Sequence, residues 1–253
     1  MKTVTLSNQK GGVSKTTTAA ALAAGLSHKG LRVLAVDLDP QCNLSASVGV
    51  DILTEHGTLY DVFKKTSDVE AAIYPTEIGY SVMLGGLALA AADMEFTQTG
   101  REYMLSEALG RVADRFDYCV IDTPPMLGIL TINAMTASQG IIIPLNADVY
   151  SLQGLTQLNG LINNVRRYCN KELTVIGLLL TKYNEHLNVA KAIREQIQAK
   201  AAEIGTKVFN TQVRESVAIR EAALYNGDIF TEAPKANATV DYTAFIDEVL
   251  EDL

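Results

Sequence analysis

Nine consecutive residues, Gln9-Lys10-Gly11-Gly12-Val13-Ser14-Lys15-Thr16-Thr17, have the side-chain types that bind phosphate. They follow the apolar and β-branched run Thr3-Val4-Thr5-Leu6 and precede an Ala-rich segment from Thr18 to Leu26. A strand that feeds a Gly-rich turn and then a helix aims several backbone N–H groups, and the positive end of the helix dipole, at one spot where an anion is stabilised. Lys15 is placed to reach β- and γ-phosphates, and the Thr16 hydroxyl to ligate Mg²⁺. The usual spacing G-x-x-x-x-G-K-[ST] fails twice, because Gln9 and Ser14 hold its glycine positions. In its place stands K-G-G-x-x-K-T, with a second lysine, Lys10, at the head of the loop. A Gly-rich turn without a ligand is the plain alternative; two lysines and a threonine weigh against it.

Carboxylates end two apolar runs. Arg32-Val33-Leu34-Ala35-Val36-Asp37 continues into Leu38-Asp39-Pro40-Gln41, and Phe116-Asp117-Tyr118-Cys119-Val120-Ile121-Asp122 into Thr123-Pro124-Pro125. In an open parallel sheet, ligands bind at the carboxyl ends of strands. Of two acids two residues apart beside a Mg·ATP site, one can hold a metal-bound water and the other can orient the water that attacks the γ-phosphate. Asp122 would bind Mg²⁺ through water. The competing reading is that these acids cap the turns that follow them.

The elements that must position these residues alternate. Strands are expected at 3–6, 32–37, 81–84, 116–122, 140–145, 173–181 and 207–211. Helices are expected at 16–28, 59–65, 87–96, 127–138, 151–169, 187–202 and 242–250, with a long amphipathic one over 101–115. In the first helix Ala20, Ala23, Ala24 and Gly25 are small enough for close packing on a sheet, and Gly30 ends it. The pattern predicts one α/β domain over residues 1–253, a mostly parallel twisted sheet with helices on both faces.

Composition narrows the function. No apolar run is long enough to cross a bilayer and the N-terminus carries no export signal, so a cytoplasmic protein is expected. Cys42, Cys119 and Cys169 are far apart and form no C-x-x-C pair, which predicts buried or half-buried thiols, with no disulfide framework and no zinc or iron-sulfur spacing. The net charge of −8 is uneven: residues 151–220 hold ten Lys/Arg against five Asp/Glu, and the rest of the chain eleven against twenty-four. A basic sector on an acidic body is one reading, ordinary solvated helix faces the other.

With K-G-G-x-x-K-T, D-x-D-P-Q and D-T-P-P in this order, the chain resembles the ParA/MinD class of ATPases, whose phosphate loop is a deviant Walker A motif. Within it the chain is most similar to short ParA/Soj-like partition ATPases. The resemblance implies a P-loop NTPase fold binding ATP or ADP through Lys10, Gly11, Gly12, Val13, Ser14, Lys15, Thr16 and Thr17, with Arg214 and Ser216 at the base. It implies Mg²⁺ held by Thr16, Asp37 and Asp122, and catalysis by Lys10, Lys15 and Asp39, with Asp39 as the hydrolytic residue and Lys10 reaching the partner subunit's nucleotide. It further implies a homodimer in the ATP state that binds non-specific double-stranded DNA, nucleoid association, and stimulation by a DNA-bound ParB-like activator. Lys182, Lys191, Arg194, Arg214 and Arg220 are the candidate DNA contacts. The chain departs from the pattern where glycine is usual, at Ser14 and Cys42, and where arginines commonly serve DNA, at His186, Glu215 and Ala218.

Other branches fit less well. The final stretch holds Asp241, Asp247, Glu248, Glu251 and Asp252, with no Lys or Arg after Lys235, so an anionic membrane would repel it. Because the chain opens at the first strand, no N-terminal helix-turn-helix domain is expected. The alternatives are an ATPase that positions a protein cargo and a dethiobiotin-synthetase-like biosynthetic ligase of the same fold.

Overall fold

The computed structural model describes residues 1–51, 57–184 and 188–253. Its strands are β1 (Lys2–Leu6), β2 (Val33–Asp37), β3 (Ile73–Pro75), β4 (Ser81–Met83), β5 (Tyr118–Asp122), β6 (Gly140–Asn146), β7 (Thr174–Thr181) and β8 (Val208–Val213). They form one eight-stranded sheet in the order β3-β4-β2-β5-β1-β6-β7-β8. Every pairing is parallel except β3 with β4.

Between the strands run α1 (Lys15–His28), α2 (Asn43–Ala46), α3 (Leu59–Phe63), α4 (Ala92–Glu95), α5 (Met104–Gly110), α6 (Ile129–Thr136), α7 (Val149–Tyr168) and α8 (Asn188–Glu203), and after β8 come α9 (Val217–Leu224), α10 (Ile229–Glu232) and α11 (Asn237–Asp252). The strands are apolar on both faces because both are covered. Successive residues of a strand point to opposite sides. Thus Ala35, Val120, Ile142 and Leu179 join the layer under α1 and α11. Their neighbours Leu34, Val36 and Ile121 pack with α3, α5 and α6, and Ile141, Ile143, Leu178 and Leu180 pack with α7 and α8.

Several expected elements change. The helix expected over 101–115 opens as a 3₁₀ turn, Arg101–Tyr103, and ends at Gly110. The one expected over 87–96 is a 3₁₀ turn, Leu87–Ala91, followed by α4. The last helix starts at Asn237, five residues before the expected start at Tyr242. Strand β3 is three residues ending in Pro75, too short for an alternation to show. A helix start at Leu187, and His186, lie outside the described residues.

Gly25 packs differently from expectation. A Cβ there would lie 2.2 Å from Ile246 Cδ1 and 3.1 Å from Phe230 Cζ, so this glycine admits α11 and α10 against α1 rather than α1 against the sheet.

The edge strand β8 is sealed by the acids of α11. Glu248 accepts hydrogen bonds from the N–H groups of Asn210 (2.9 Å) and Thr211 (2.7 Å), and Asp241 from that of Arg214 (3.0 Å). An exposed row of such donors would template pairing with another chain. The acid-rich terminal helix therefore has a structural task. Among the described residues no helix is long and apolar enough to cross a membrane.

Candidate nucleotide and metal site

Asn8 anchors the loop between β1 and α1. Its Oδ1 accepts from the Lys10 N–H (3.0 Å) and its Nδ2 donates to the carbonyl of Pro144 (2.7 Å). Pro144 can sit in β6 because β1 has ended there: the side of Pro144 that would carry an N–H faces past the last β1 pairing, at Ile142. On the far side of the loop, the Thr181 hydroxyl lies 3.2 Å from the Val13 carbonyl and 3.1 Å from Asn146 Oδ1.

The loop encloses a cavity of about 450 Å³. Gly11, Gly12, Ser14, Lys15, Thr16 and Thr17 line it, together with Asp39, Pro125, Arg214 and Ser216. Two expected contacts sit elsewhere. Val13 has its side chain fully in the core, so only its backbone faces the loop. Lys10 turns away and forms an ion pair with Asp148, the N-cap residue of α7, which also accepts from the Ser151 N–H (3.0 Å). Burial pushes the Asp148 carboxyl up, but Ser151 and the Lys10 ammonium together hold it below the ordinary range.

Asp37 and Asp122 end adjacent parallel strands in register with one another, and both are fully buried. Asp37 Oδ2 accepts from the Ser45 N–H and hydroxyl, 2.8 Å each. Among the described residues, Asp37 Oδ1 and both Asp122 oxygens have no hydrogen-bond partner. Burial raises the pKa of both, and on Asp122 the charges of Asp37 and Asp39 act in the same direction. The Thr16 hydroxyl lies near enough to lower Asp122 in part, without reaching hydrogen-bonding geometry. Lys15, 7% exposed, is itself held below its ordinary range by burial, against the pull of Asp122 and Asp39. Three orphaned carboxylate oxygens on two buried, adjacent acids fit a divalent cation: unpaired buried charge is costly, and such oxygens are hard ligands.

Asp39 is half-buried at the cavity wall. Its Oδ1 accepts from the Gln41 N–H (2.9 Å), the turn-capping bond that was the competing reading of this acid, and its second oxygen remains available.

Ser14 and Cys42, the two departures from glycine, both adopt left-handed backbone, with φ of 62° and 53°. That explains why the family pattern has glycine at these places. A side chain there costs about 1 kcal/mol or more, partly offset by the entropy glycine returns to the unfolded chain. Cys42→Gly should therefore raise unfolding stability by about 0.5 kcal/mol in urea titration, whereas a loss would mean that the buried thiol's packing outweighs the strain.

The five expected DNA contacts fall on two parts of the chain. Lys182, Arg214 and Arg220 line the nucleotide cavity, and Lys191 and Arg194 sit on α8. Arg214 is bidentate to Asp241, at 2.9 and 2.6 Å, which neutralises it. With the Gln212 amide turned to satisfy both partners, its oxygen accepts from Arg194 at 2.6 and 3.0 Å. Lys182, Lys191 and Arg220 are exposed. Nothing in the local pattern marks Asn8, Ser45, Asp148 and Thr181, because each acts through a partner in another element or loop.

A family profile described as an AAA domain matches residues 1–175. The sporulation initiation inhibitor protein Soj of Bacillus subtilis is 35% identical over 98% of both chains. The chain belongs to the ParA/Soj family of partition ATPases. The chromosome partitioning protein ParA of Myxococcus xanthus is 34% identical, covering 98% of this chain and 87% of its own. Among solved structures, cobyrinic acid a,c-diamide synthase from Mycobacterium smegmatis with bound ADP and magnesium superposes with a TM-score of 0.87 at 30% identity, over 99% of this chain and 94% of that one.

Proposed function

We propose that this ParA/Soj-family chain is a Mg²⁺-dependent ATPase whose ATP state is a homodimer that grips non-specific duplex DNA and is released by a DNA-bound ParB-like activator. The pair of buried, in-register carboxylates with orphaned oxygens beside Lys15 supports this reading most directly. Lys15 and the loop amides bind the β- and γ-phosphates, and Asp39 orients and deprotonates the attacking water through its available oxygen. Thr16, Asp37 and Asp122 would hold Mg²⁺, which when bound neutralises charge on the phosphate oxygens. Arg214 and Ser216, which line the same cavity, would contact the base. The protein acts in the cytoplasm, on the nucleoid, and not at a membrane.

Lys10 reaches a partner's phosphates only by leaving Asp148. Lys10→Ala should lose ATP-dependent dimerisation by about tenfold or more in sedimentation, while Asp148→Ala, which releases the lysine, should keep or strengthen it. Equal dimerisation by wild type and Lys10→Ala would remove the intersubunit role.

DNA binding is assigned to the exposed Lys182, Lys191 and Arg220, with Arg194, held by Gln212, and the also exposed Arg214, held by Asp241, as scaffolding. Dimerisation doubles their number and steepens the dependence on salt. Retention of the Asp39→Ala protein on non-specific duplex DNA should require ATP and fall about tenfold or more between 50 and 200 mM salt. The diamide synthase likeness keeps a biosynthetic reading in view. Confirmed dimers that retain no DNA in ATP would favour that reading or a protein cargo.

A further inference from the structure

Ser45 lies eight residues beyond Asp37, is fully buried, and spends both its backbone N–H and its hydroxyl on one oxygen of that acid. A carboxylate gripped at Oδ2 by two donors cannot rotate about its terminal torsion. Its other oxygen, Oδ1, has no partner among the described residues, and Asp37 stands opposite Asp122 in the register of β2 and β5.

We propose that Ser45 is a positioning residue for the metal: it locks Asp37 so that Oδ1 is presented to Mg²⁺, and it ties α2 to that carboxylate. The inference rests on the Mg·ATP reading above.

The two bonds close the chain from Asp37 to Ser45 into a ring. Inside it, Asp39 is held by the Gln41 N–H on Oδ1 and by the Cys42 N–H on its carbonyl, 2.9 Å each. Asn43, two residues before Ser45, lines the nucleotide cavity. Cys42, the left-handed residue that starts α2, is the joint on which this single turn is set. Movement of α2 when the cavity fills is therefore passed through Ser45 to the metal-side acid. A serine that merely capped its own helix would accept a hydrogen bond at the N-cap. Ser45 is inside α2 and donates across to a strand.

The test measures binding of a fluorescent ADP analogue at equilibrium, in EDTA and across a Mg²⁺ series, for wild type, Ser45→Ala and Ser45→Thr. Loss of a bond that orients a metal ligand costs about 10- to 100-fold in metal affinity, so Ser45→Ala should raise the Mg²⁺ concentration for half-maximal tightening about tenfold or more, with binding in EDTA within about twofold of wild type. Ser45→Thr, which keeps the hydroxyl, should restore most of the Mg²⁺ response. Should Ser45→Ala not fold, Ser45→Cys, with a weaker donor in nearly the same volume, should shift the Mg²⁺ requirement in the same direction. An unaltered Mg²⁺ requirement in a folded variant, or an equal loss in EDTA and Mg²⁺, overturns the assignment to Ser45 alone. Wild type that binds no nucleotide in any condition overturns the Mg·ATP reading and this inference with it.

Discussion

Asp39→Ala should lower ATP turnover about 100-fold or more while changing nucleotide affinity by less than about threefold. The expectation follows from the division of labour among three acids. Asp37 and Asp122 are buried side by side with orphaned oxygens, a placement suited to a cation and closed to bulk water. Asp39 is half-buried at the cavity wall with one oxygen committed to the Gln41 N–H. Only the second oxygen can meet a water. Asp39→Asn separates the two tasks, because the amide oxygen can still accept from Gln41 but cannot take a proton. If the acid served only to cap the turn, Asp39→Asn would turn over normally. Phosphate release under saturating ATP, with affinity measured in parallel, reads both variants; an Asp39→Ala protein that fails to bind ATP would remove the catalytic assignment.

Lys15→Ala should weaken ATP and ADP binding about 100-fold, the scale of losing charge-assisted hydrogen bonds in a desolvated site. Lys15 is 7% exposed and its ammonium donates to the Lys10 carbonyl at 3.3 Å, a bond that nucleotide phosphates would replace. It is also the cation nearest in influence to Asp122, so its removal leaves the paired carboxylates with less compensation. Titration with a fluorescent nucleotide analogue tests the first effect. Affinity within about threefold of wild type would place the phosphates elsewhere than in this loop.

The charge pattern of the chain has a more local meaning than its totals suggest. The excess of Lys and Arg over residues 151–220 includes Arg214, held by Asp241, and Arg194, held by Gln212. The acids near the C-terminus, which argue against an anionic membrane, turn out to be the partners: Asp241 for Arg214, Glu248 for the edge of β8, Asp247 for Lys29 and Asp252 for Lys207. A net charge counted along a segment cannot register neutralisation by another segment.

Ser14 and Cys42 show how far a motif can be read. Their departure from glycine is visible in sequence, but that both hold left-handed backbone, and so carry strain rather than merely occupy space, is a fact of the loop and of the turn before α2. Likewise Gly25 advertised close packing, and the sequence could not say that its neighbour would be Ile246 of α11.

By itself, the sequence determined the features that depend on local spacing. The phosphate loop between a strand and a helix, the acids closing β2 and β5, and the alternation that yields a parallel sheet covered on both faces all follow from neighbours within one element. Tertiary structure alone decided which of those residues meet. The register that sets Asp37 beside Asp122, the turn of Lys10 to Asp148 and the grip of Asp241 on Arg214 depend on strand order and on helices packing from distant parts of the chain. A charged or polar side chain takes the nearest satisfying partner once burial removes water, and that partner is chosen by the fold rather than by distance along the chain.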